Sequence, residues 1–323
     1  MHANTNRCVF GFLQTFWIAY QRSLSHGGDL ILRVEDLDRQ RCKDLFYTLM
    51  YQSMIWFGVR WTLGPTYTGE HWTDGTADQA SKKPIDRFDT GVQGVNICDE
   101  TDEDVYKSSI DIGPFLQSER RELYEHAWKI LYLGGYLYPS NHSRKTIEKS
   151  LSAPHEGEGE VVFPTSLRCE PSDVPTGLTA PDAQSWRFRV PDGEVISFTD
   201  VHMGFQSYTA GVDFGDFLVW RFDGFPSYEM AVVIDDLSMG VSEIVRGEDL
   251  MLSTARQILL YRAFGILDVN IPKFFHAPLV RDPETGKRLA KRDGARSLRV
   301  LQENGWTPEK LREKLCCFDG LIL

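Results

Sequence analysis

Charged residues cluster where two segments rich in apolar residues end. The run Met230–Ile234 is followed directly by Asp235 and Asp236, and the run Val241–Val245 is followed by Arg246. Both runs are short and bounded by polar residues, which predicts two buried strands. Open parallel sheets bind ligands outside the carboxyl ends of their strands. The sequence therefore predicts a ligand site at these ends; the alternative is an ordinary βαβ core with a solvated charge cluster.

A third apolar run, Leu30–Val34, also ends in charged side chains. It contains Arg33 and leads into Glu35 and Asp36. A carboxylate that is fixed at the end of a strand can hold the α-ammonium group of an amino-acid substrate. The run is therefore predicted to be a strand that adds to the same site; the alternative is a strand followed by an acidic helix cap.

Helices and a hairpin must position these strand ends. Apolar residues recur at helical spacing in several segments that stop at glycines. Ser253 and Thr254 precede one such segment, which predicts a helix start. A predicted hairpin pairs Trp186–Val190 with Val195–Thr199. The other predicted helices are Phe16–Leu24, Phe46–Phe57, Arg121–Leu133 and Pro308–Leu315.

Length and composition are typical of a soluble globular protein. The chain has 323 residues, of which 42% are hydrophobic and 25% charged, and this suffices for one large domain with an insertion or for two domains. No apolar run reaches the length of a membrane span, and the N-terminus lacks the pattern of a signal peptide. The six cysteines show no CxxC spacing, which favours a reducing compartment. We therefore predict a cytoplasmic protein.

The net charge limits how the chain could bind nucleic acid. A formal charge of −11 argues against a broad basic face. A local basic groove is still compatible with it. Candidates are Arg120-Arg121, Arg144-Lys145 and the segment 287–296, although such runs are more often solvated surface.

Several stretches of the chain together resemble one enzyme family. They are SYEMAVVIDD, GVSEIVRGEDL, STARQILLYRAFG, GGDLILRVEDLDRQR, QSER and WRFRVPDGEVISFTD. All are similar to segments of the catalytic domain of class I glutamyl-tRNA synthetases, and most of all to the short glutamyl-queuosine tRNA(Asp) synthetase type. The resemblance runs from Leu13 to Trp306 with one gap, which is more specific than any single motif.

The resemblance implies an α/β fold, a Rossmann-like class I aminoacyl-tRNA synthetase catalytic domain with an inserted subdomain and a short helical C-terminal tail. Full glutamyl-tRNA synthetases continue into an anticodon-binding domain, and the lack of one here favours the shortened type. The implied organisation is a first catalytic half (1–65), a flexible acidic insertion (66–112), an acceptor-binding-type subdomain (113–184), a second catalytic half (185–265), and the ATP loop with the tail (266–323).

The resemblance also implies roles for single residues. By similarity, Glu35, Tyr228 and Arg246 hold the substrate glutamate. Guanidinium and phenol groups suit this role because both donate hydrogen bonds to a carboxylate. Lys291 is the retained catalytic lysine of a loop similar to the family's KLSK motif, and Arg288 replaces the first lysine of that motif. Both are implied to bind ATP, where a mobile lysine stabilises charge in the adenylation transition state.

The start of the chain departs from the family. The HLGH motif, whose histidines stabilise the ATP phosphates, falls on Val9–Phe12, and only Gly11 survives as a candidate ATP-binding residue. Valine and phenylalanine side chains cannot donate hydrogen bonds. The family's first strand is also missing. Two explanations compete, a decayed or repurposed enzyme and a truncated or mis-assigned start; the abrupt onset of similarity at Leu13 favours the second.

A metal site of the queuosine-type relatives has also changed. There, three cysteines and a tyrosine bind zinc. The matching positions here are Ser140, His142, Phe163 and Leu167. Structural zinc needs about four donors, mostly nitrogen or sulfur, and one remains. We therefore predict no zinc.

The implied reaction is activation of L-glutamate by ATP with Mg²⁺, followed by transfer to a tRNA acceptor, for which the queuosine base of tRNA(Asp) is a candidate. We expect a monomer with no membrane partner. The lost histidines and zinc ligands leave two alternatives open. One is a catalytically inactive paralogue, or a truncated product, that binds RNA or protein. The other is a ligase that passes activated glutamate to a non-RNA acceptor.

Overall fold

The computed structural model of the protein describes residues 7–37, 44–67, 72–73, 113–142, 162–279, 302–303 and 305–315. The helices are α1 (Arg7–His26), α2 (Asp44–Phe57), α3 (Arg121–Leu133), α4 (Tyr228–Ser238), α5 (Met251–Ala263) and α6 (Pro308–Leu315). The strands are β1 (Thr66–Tyr67), β2 (Trp72–Thr73), β3 (Leu137–Pro139), β4 (Trp186–Phe188), β5 (Val195–Asp200), β6 (Gly204–Thr209), β7 (Phe217–Trp220), β8 (Glu243–Gly247) and β9 (Lys273–Ala277). None of the helices within these ranges combines the length and the apolar character that crossing a bilayer requires.

The two N-terminal helices form a layer with the C-terminal helix. Leu13 of α1 packs with Met54 and Phe57 of α2, and Leu311 of α6 is buried among them. Gly27 ends α1 in a left-handed conformation, φ 62°, which glycine adopts without a steric penalty. The predictions of these three helices are confirmed, and α1 extends further toward the N-terminus than predicted.

Parallel pairing marks the segments that flank the predicted site. β8 pairs in parallel with β9. The extended segment Leu30–Val34 makes single parallel bridges, from Ile31 to Leu63 and from Val34 to Leu116. The strand predicted from Val241 is thus confirmed with a shift of two residues, whereas Leu30–Val34 is extended chain with isolated bridges rather than a full strand.

The run Met230–Ile234 is helical, and the prediction of a strand there is wrong. Ser227 caps α4 by accepting the backbone N–H of Met230 at 3.4 Å, as serine does at helix N-termini. Every residue from Met230 to Asp236 is buried. α4 therefore lacks the polar face that would have revealed a helical period. A short apolar run inside a core cannot be told from a strand by periodicity.

α5 begins before the predicted start. A 3-10 turn at Glu248–Leu250 leads directly into it, so the prediction that Ser253 and Thr254 start this helix is wrong. Both side chains form hydrogen bonds with other side chains instead of capping the helix. Ser253 donates to Glu229, and Thr254 accepts from Arg246. These two hydroxyls therefore belong to the surroundings of the site.

The region before α4 contains an antiparallel sheet backed by α3. The strands lie in the order β3–β4–β7, and the predicted helix α3 packs Trp128 against Trp186 with 5.0 Å between ring centroids. Trp220 of β7 is also fully buried. The same core continues into α4 and α5. The sheet is therefore fixed to the two helices that carry part of the site.

β4 does not pair with β5, and the predicted hairpin is wrong. β4 lies between β3 and β7, while β5 pairs along its length with β6. All three residues of β4 are buried, whereas buried and exposed positions alternate in β5; an interior strand needs a neighbour on each side, and a half-exposed ribbon does not. The β5–β6 turn is closed by Asp200, which accepts the backbone N–H groups of His202 and Met203.

The start of the predicted insertion contains a short antiparallel pair, β1 with β2. Residues 68–71 and 74–112 lie outside the described residues, and so do residues 1–6. The flexible insertion and the missing first strand therefore stay predictions.

Candidate functional site

A cavity of about 840 Å³ lies between the segment Leu30–Glu35 and β8. All residues from 30 to 35 and from 241 to 247 line it, together with parts of α1. Glu35, Tyr228 and Arg246 are among the lining residues. Small-molecule sites usually enclose about 300–1,000 Å³. The structure thus brings the three residues predicted to hold an amino acid to one cavity of suitable size.

The guanidinium group of Arg246 in β8 is fixed from three sides. Nε donates to Nε2 of His276 at 3.1 Å, Nη1 to Oε1 of Gln257 at 2.7 Å, and Nη2 to Oγ1 of Thr254 at 2.6 Å. The residue is 8% exposed. Within the described residues, none of its hydrogen-bond partners is a carboxylate. A fixed, buried cation without a direct counter-ion is suited to an anionic ligand.

Tyr228, the first residue of α4, lies beside Arg246. It is 39% exposed and lines the same cavity as Arg246. Burial of the phenol raises its pKa, the charge of Glu35 raises this pKa further, and Arg246 opposes the shift. The hydroxyl therefore stays protonated at neutral pH. Tyr228 and Arg246 form a pair of donors for one carboxylate.

Glu35 follows the segment Leu30–Val34 and lines the same cavity. Its side chain is 46% exposed, and its carboxylate lies 3.4 Å from Nη2 of Arg33. A carboxylate in this position can accept hydrogen bonds from an ammonium group. The cavity therefore offers complements to both the ammonium and the carboxylate groups of an amino acid.

Asp235 and Asp236 form a buried ionic cluster rather than a pair of open, ligand-binding acids. Asp235 is fully buried, and Asp236 is 5% exposed. Their partners come from three other segments and lie between 2.7 and 3.3 Å away; they are Arg33, Gln117, Arg120 and Tyr124. The prediction that these acids end a strand is wrong because both lie in α4, although Asp236 does line the cavity. The QSER resemblance marked Gln117 and Arg120 but did not reveal this role.

The charges within this cluster support one another. Burial raises the pKa of Asp236, and Arg33 opposes that shift. Burial lowers the pKa of Arg33, but Asp236 and Asp235 outweigh it, and the pKa of Arg33 lies above its ordinary value. Arg33 therefore remains charged and holds the segment that carries Glu35 against α4.

Of the three residues predicted to bind ATP, the structure describes one, Gly11. Arg288 and Lys291 lie outside the described residues, and their roles stay predictions. Gly11 lies in the first half of α1. Pro278 and Leu279, which precede the loop of Lys291 in sequence, line the cavity.

A family model described as the catalytic domain of class I tRNA synthetases (E and Q) matches residues 85–319. The chain belongs to this family. A glutamyl-Q tRNA(Asp) synthetase of Symbiobacterium thermophilum is 35% identical to this class I synthetase over 97% of the chain and 83% of that protein. Glutamate–tRNA ligase 2 of Nitrosococcus oceani is 30% identical over 88% of the chain and 51% of the ligase.

The fold of the synthetase agrees with solved structures. A glutamate-tRNA synthetase from Elizabethkingia anophelis matches with a TM-score of 0.61 and 24% identity, covering 91% of this chain and 52% of that one. The chain thus spans about half the length of the glutamate ligases that it matches. The predicted class I synthetase fold and family are confirmed, and enzymes of this class use ATP.

The positions that match zinc ligands in queuosine-type relatives form a packed environment in this synthetase. Ser140 is buried and accepts a hydrogen bond from Nε of Arg187 at 3.2 Å. The guanidinium carbon of Arg187 lies 4.4 Å from the ring centroid of Phe163, and His142 packs on the same ring. The described part of the chain holds no group of three or more His, Cys, Asp or Glu side chains placed to bind a metal ion. These residues do not fit a zinc site.

An ion pair cross-links the same region of the synthetase. The carboxylate of Asp216 accepts from Nε of Arg168 at 2.7 Å, from Nη2 of Arg168 at 2.8 Å, and from the backbone N–H of Val190 at 2.9 Å. Arg168 also pairs with Asp192, which is 43% exposed. Asp216 is 4% exposed, so this bidentate pair is shielded from solvent.

We expect a chelator to leave the Tm of the synthetase unchanged within about 1 °C. We also expect Asp216→Asn to lower the free energy of unfolding by about 2–4 kcal/mol. The substitution leaves Arg168 without its buried counter-charge. Asp192→Asn removes the exposed partner of the same arginine and should cost less than about 1 kcal/mol. Thermal and denaturant unfolding with and without EDTA measure both effects. A fall of several degrees in EDTA would show that a metal stabilises the fold.

Proposed function

We propose that this synthetase activates L-glutamate with ATP and transfers it to a tRNA acceptor, with the queuosine base of tRNA(Asp) as the first candidate. The observation that carries the proposal is the convergence of Glu35, Tyr228 and Arg246 on one cavity. The names of its relatives support it, since they include glutamyl-Q tRNA(Asp) synthetases and glutamate–tRNA ligases.

Glutamate would be oriented by complementary charges. Arg246 and Tyr228 would bind one carboxylate through N–H and O–H donors, and Glu35 would accept from the ammonium group. Binding by several fixed groups places the reacting carboxylate for attack. The roles of Glu35, Tyr228 and Arg246 are those implied by the family resemblance.

ATP with Mg²⁺ would supply the activating group. A carboxylate oxygen of glutamate attacks the α-phosphorus, the bond to the bridging oxygen of pyrophosphate breaks, and glutamyl-adenylate forms. The acceptor then displaces AMP from the acyl carbon. Lys291, Arg288 and Gly11 are the proposed ATP-binding residues, with Lys291 stabilising charge as pyrophosphate leaves. We place the reaction in the cytoplasm and expect the chain to act as a monomer.

The purified chain should catalyse ATP–pyrophosphate exchange that depends on glutamate, with at least about tenfold lower activity for glutamine and aspartate. The reason is that Arg246 and Tyr228 would bind a carboxylate, which the side chain of glutamine lacks, and that aspartate is shorter than glutamate. Charging of purified tRNA would then establish the acceptor class. Exchange without charging would favour a ligase for a non-RNA acceptor. Absence of exchange at every substrate concentration would contradict the proposal and favour the inactive paralogue. That alternative rests on the loss of the HLGH histidines at Val9–Phe12.

A further inference from the structure

A buried acid–histidine pair adjoins Arg246. Nδ1 of His276 lies 2.6 Å from Oδ2 of Asp200, and both side chains are fully buried. Nε2 of the same ring faces Nε of Arg246 at 3.1 Å. The described residues that line the cavity include neither Asp200 nor His276. Among the described residues, Arg246 links this pair to the cavity.

The contact with Arg246 favours one tautomer of His276. A guanidinium group has only donors, so we assign the ring nitrogen that faces Arg246 as the unprotonated acceptor. Nδ1 then carries the proton and donates a hydrogen bond to Asp200. Burial would raise the pKa of Asp200, but the hydrogen bonds from His276 and from the backbone of Met203 and His202 outweigh it and lower this pKa. Asp200 therefore stays ionised and selects this tautomer.

A second acid anchors the other side of Arg246. Nε2 of Gln257 donates to Oε2 of Glu229 at 2.8 Å, which leaves Oε1 of Gln257 to accept from Arg246. Ser253 donates to the other oxygen of Glu229 at 2.7 Å. Asp200 and Glu229 thus orient the guanidinium through uncharged intermediates. Its positive charge is left for the ligand.

We propose that Asp200 and His276 are positioning residues for Arg246, and that protonation of His276 weakens the binding of glutamate. The inference rests on the proposed function. A second proton on His276 would convert the acceptor into a donor that faces the Nε–H of Arg246. It would also place two cations 3.1 Å apart. The guanidinium would then lose the orientation that carboxylate binding requires.

Charged groups approach His276 from several elements. Asp200 at the end of β5 and Arg246 in β8 are the charged groups in direct contact with it among the described residues. From α5, Thr254 approaches Nε2 at 3.2 Å and carries no charge. The charged or titratable groups of the other neighbouring elements are Arg22 on α1, His202 after β5, Glu229 on α4 and Glu243 on β8.

The first test follows the KM for glutamate in pyrophosphate exchange between about pH 5.5 and pH 8.5. In the wild-type chain we expect this KM to rise about tenfold or more at the acid end, while the KM for ATP changes by less than about threefold. His276→Gln should flatten the profile, because the amide oxygen accepts from Arg246 but does not titrate. His202→Gln replaces an exposed histidine and should keep the wild-type profile. An unchanged acid-side rise in His276→Gln would overturn the proposal.

The KM for glutamate of the Asp200→Asn variant tests which ring nitrogen of His276 carries the proton. The amide nitrogen would donate to Nδ1 of His276 and move the ring proton to Nε2, where it would oppose Arg246. We expect the KM for glutamate to rise about tenfold or more near pH 8, with kcat changed by less than about threefold. A folded Asp200→Asn protein with a wild-type KM would overturn the proposal.

Imidazole ¹⁵N NMR of the full wild-type chain reports the tautomer without any need for activity. We expect an unprotonated Nε2 in His276 near pH 8, and a protonated Nε2 would overturn the proposal. If the wild-type chain shows no exchange at any pH, the proposed function fails, while the spectrum still decides the tautomer. If exchange is present and His276→Gln keeps the wild-type profile, only the positioning inference fails.

Discussion

Arg246→Gln is expected to raise the KM for glutamate in pyrophosphate exchange by about 100-fold or more. The guanidinium is fixed by three hydrogen bonds between 2.6 and 3.1 Å, so it meets the carboxylate without reorganising. Removing one partner of a buried charge pair costs about 2–5 kcal/mol, and 1.4 kcal/mol corresponds to a factor of ten. Initial rates at varied glutamate and saturating ATP give the result directly.

The selectivity of this effect separates binding from general damage. The KM for ATP should stay within about threefold of wild type, because Arg246 is assigned to glutamate alone. Arg262→Gln is the matched control. Arg262 lies on α5, pairs with Asp268 and Glu194, and does not line the cavity. A shift below tenfold for Arg246→Gln, or an equal shift for ATP, would refute the assignment of Arg246.

Asp235→Asn should lower the free energy of unfolding by about 3–5 kcal/mol and the Tm by roughly 5–15 °C. The carboxylate accepts hydrogen bonds from Gln117, Arg120 and Tyr124, and Nε of Arg33 lies 3.3 Å away. An asparagine carries no charge and accepts through one oxygen. The buried Arg120 would therefore lose its counter-charge, and Arg33 would keep only Asp236. Thermal unfolding followed by circular dichroism measures the change.

Asp223→Asn provides the comparison at the surface. Asp223 is ion-paired with Arg221, but its side chain is 51% exposed. Exposed pairs contribute about 0–1 kcal/mol, so the Tm should fall by no more than about 3 °C. Equal losses in Asp235→Asn and Asp223→Asn would show that the buried cluster does not stabilise the fold as described.

The sequence brought together the candidate site residues but did not predict all of their local structure. Similarity to the family selected Glu35, Tyr228 and Arg246 from distant segments, and these three residues line one cavity. Periodicity found α1 and α3 because each has a polar face. It failed for Met230–Ile234, since a helix that is buried all round shows no period.

The strand pairing and the residues that support Arg246 could not be predicted from the sequence, because both depend on the tertiary fold. Val195–Thr199 alternates like a hairpin strand, but only the buried surroundings of β4 decide which strand becomes its partner. The same limit applies to Asp200 and His276, which lie 76 positions apart. The sequence around His276 gives no sign of its contact with Arg246, which becomes visible only in three dimensions.

The C-terminal helix has a consequence for how the chain is made. Leu311 is fully buried against α1 and α2, and Arg312 donates to the carbonyl of Phe57, 255 positions earlier. At about 5–20 residues per second, a ribosome needs roughly 13–50 s to supply this partner. Throughout that interval, α6 does not yet cover the apolar face of the nascent helices α1 and α2. We therefore expect the yield of soluble protein from the ribosome to depend on α6 and on the chaperones present before this helix emerges.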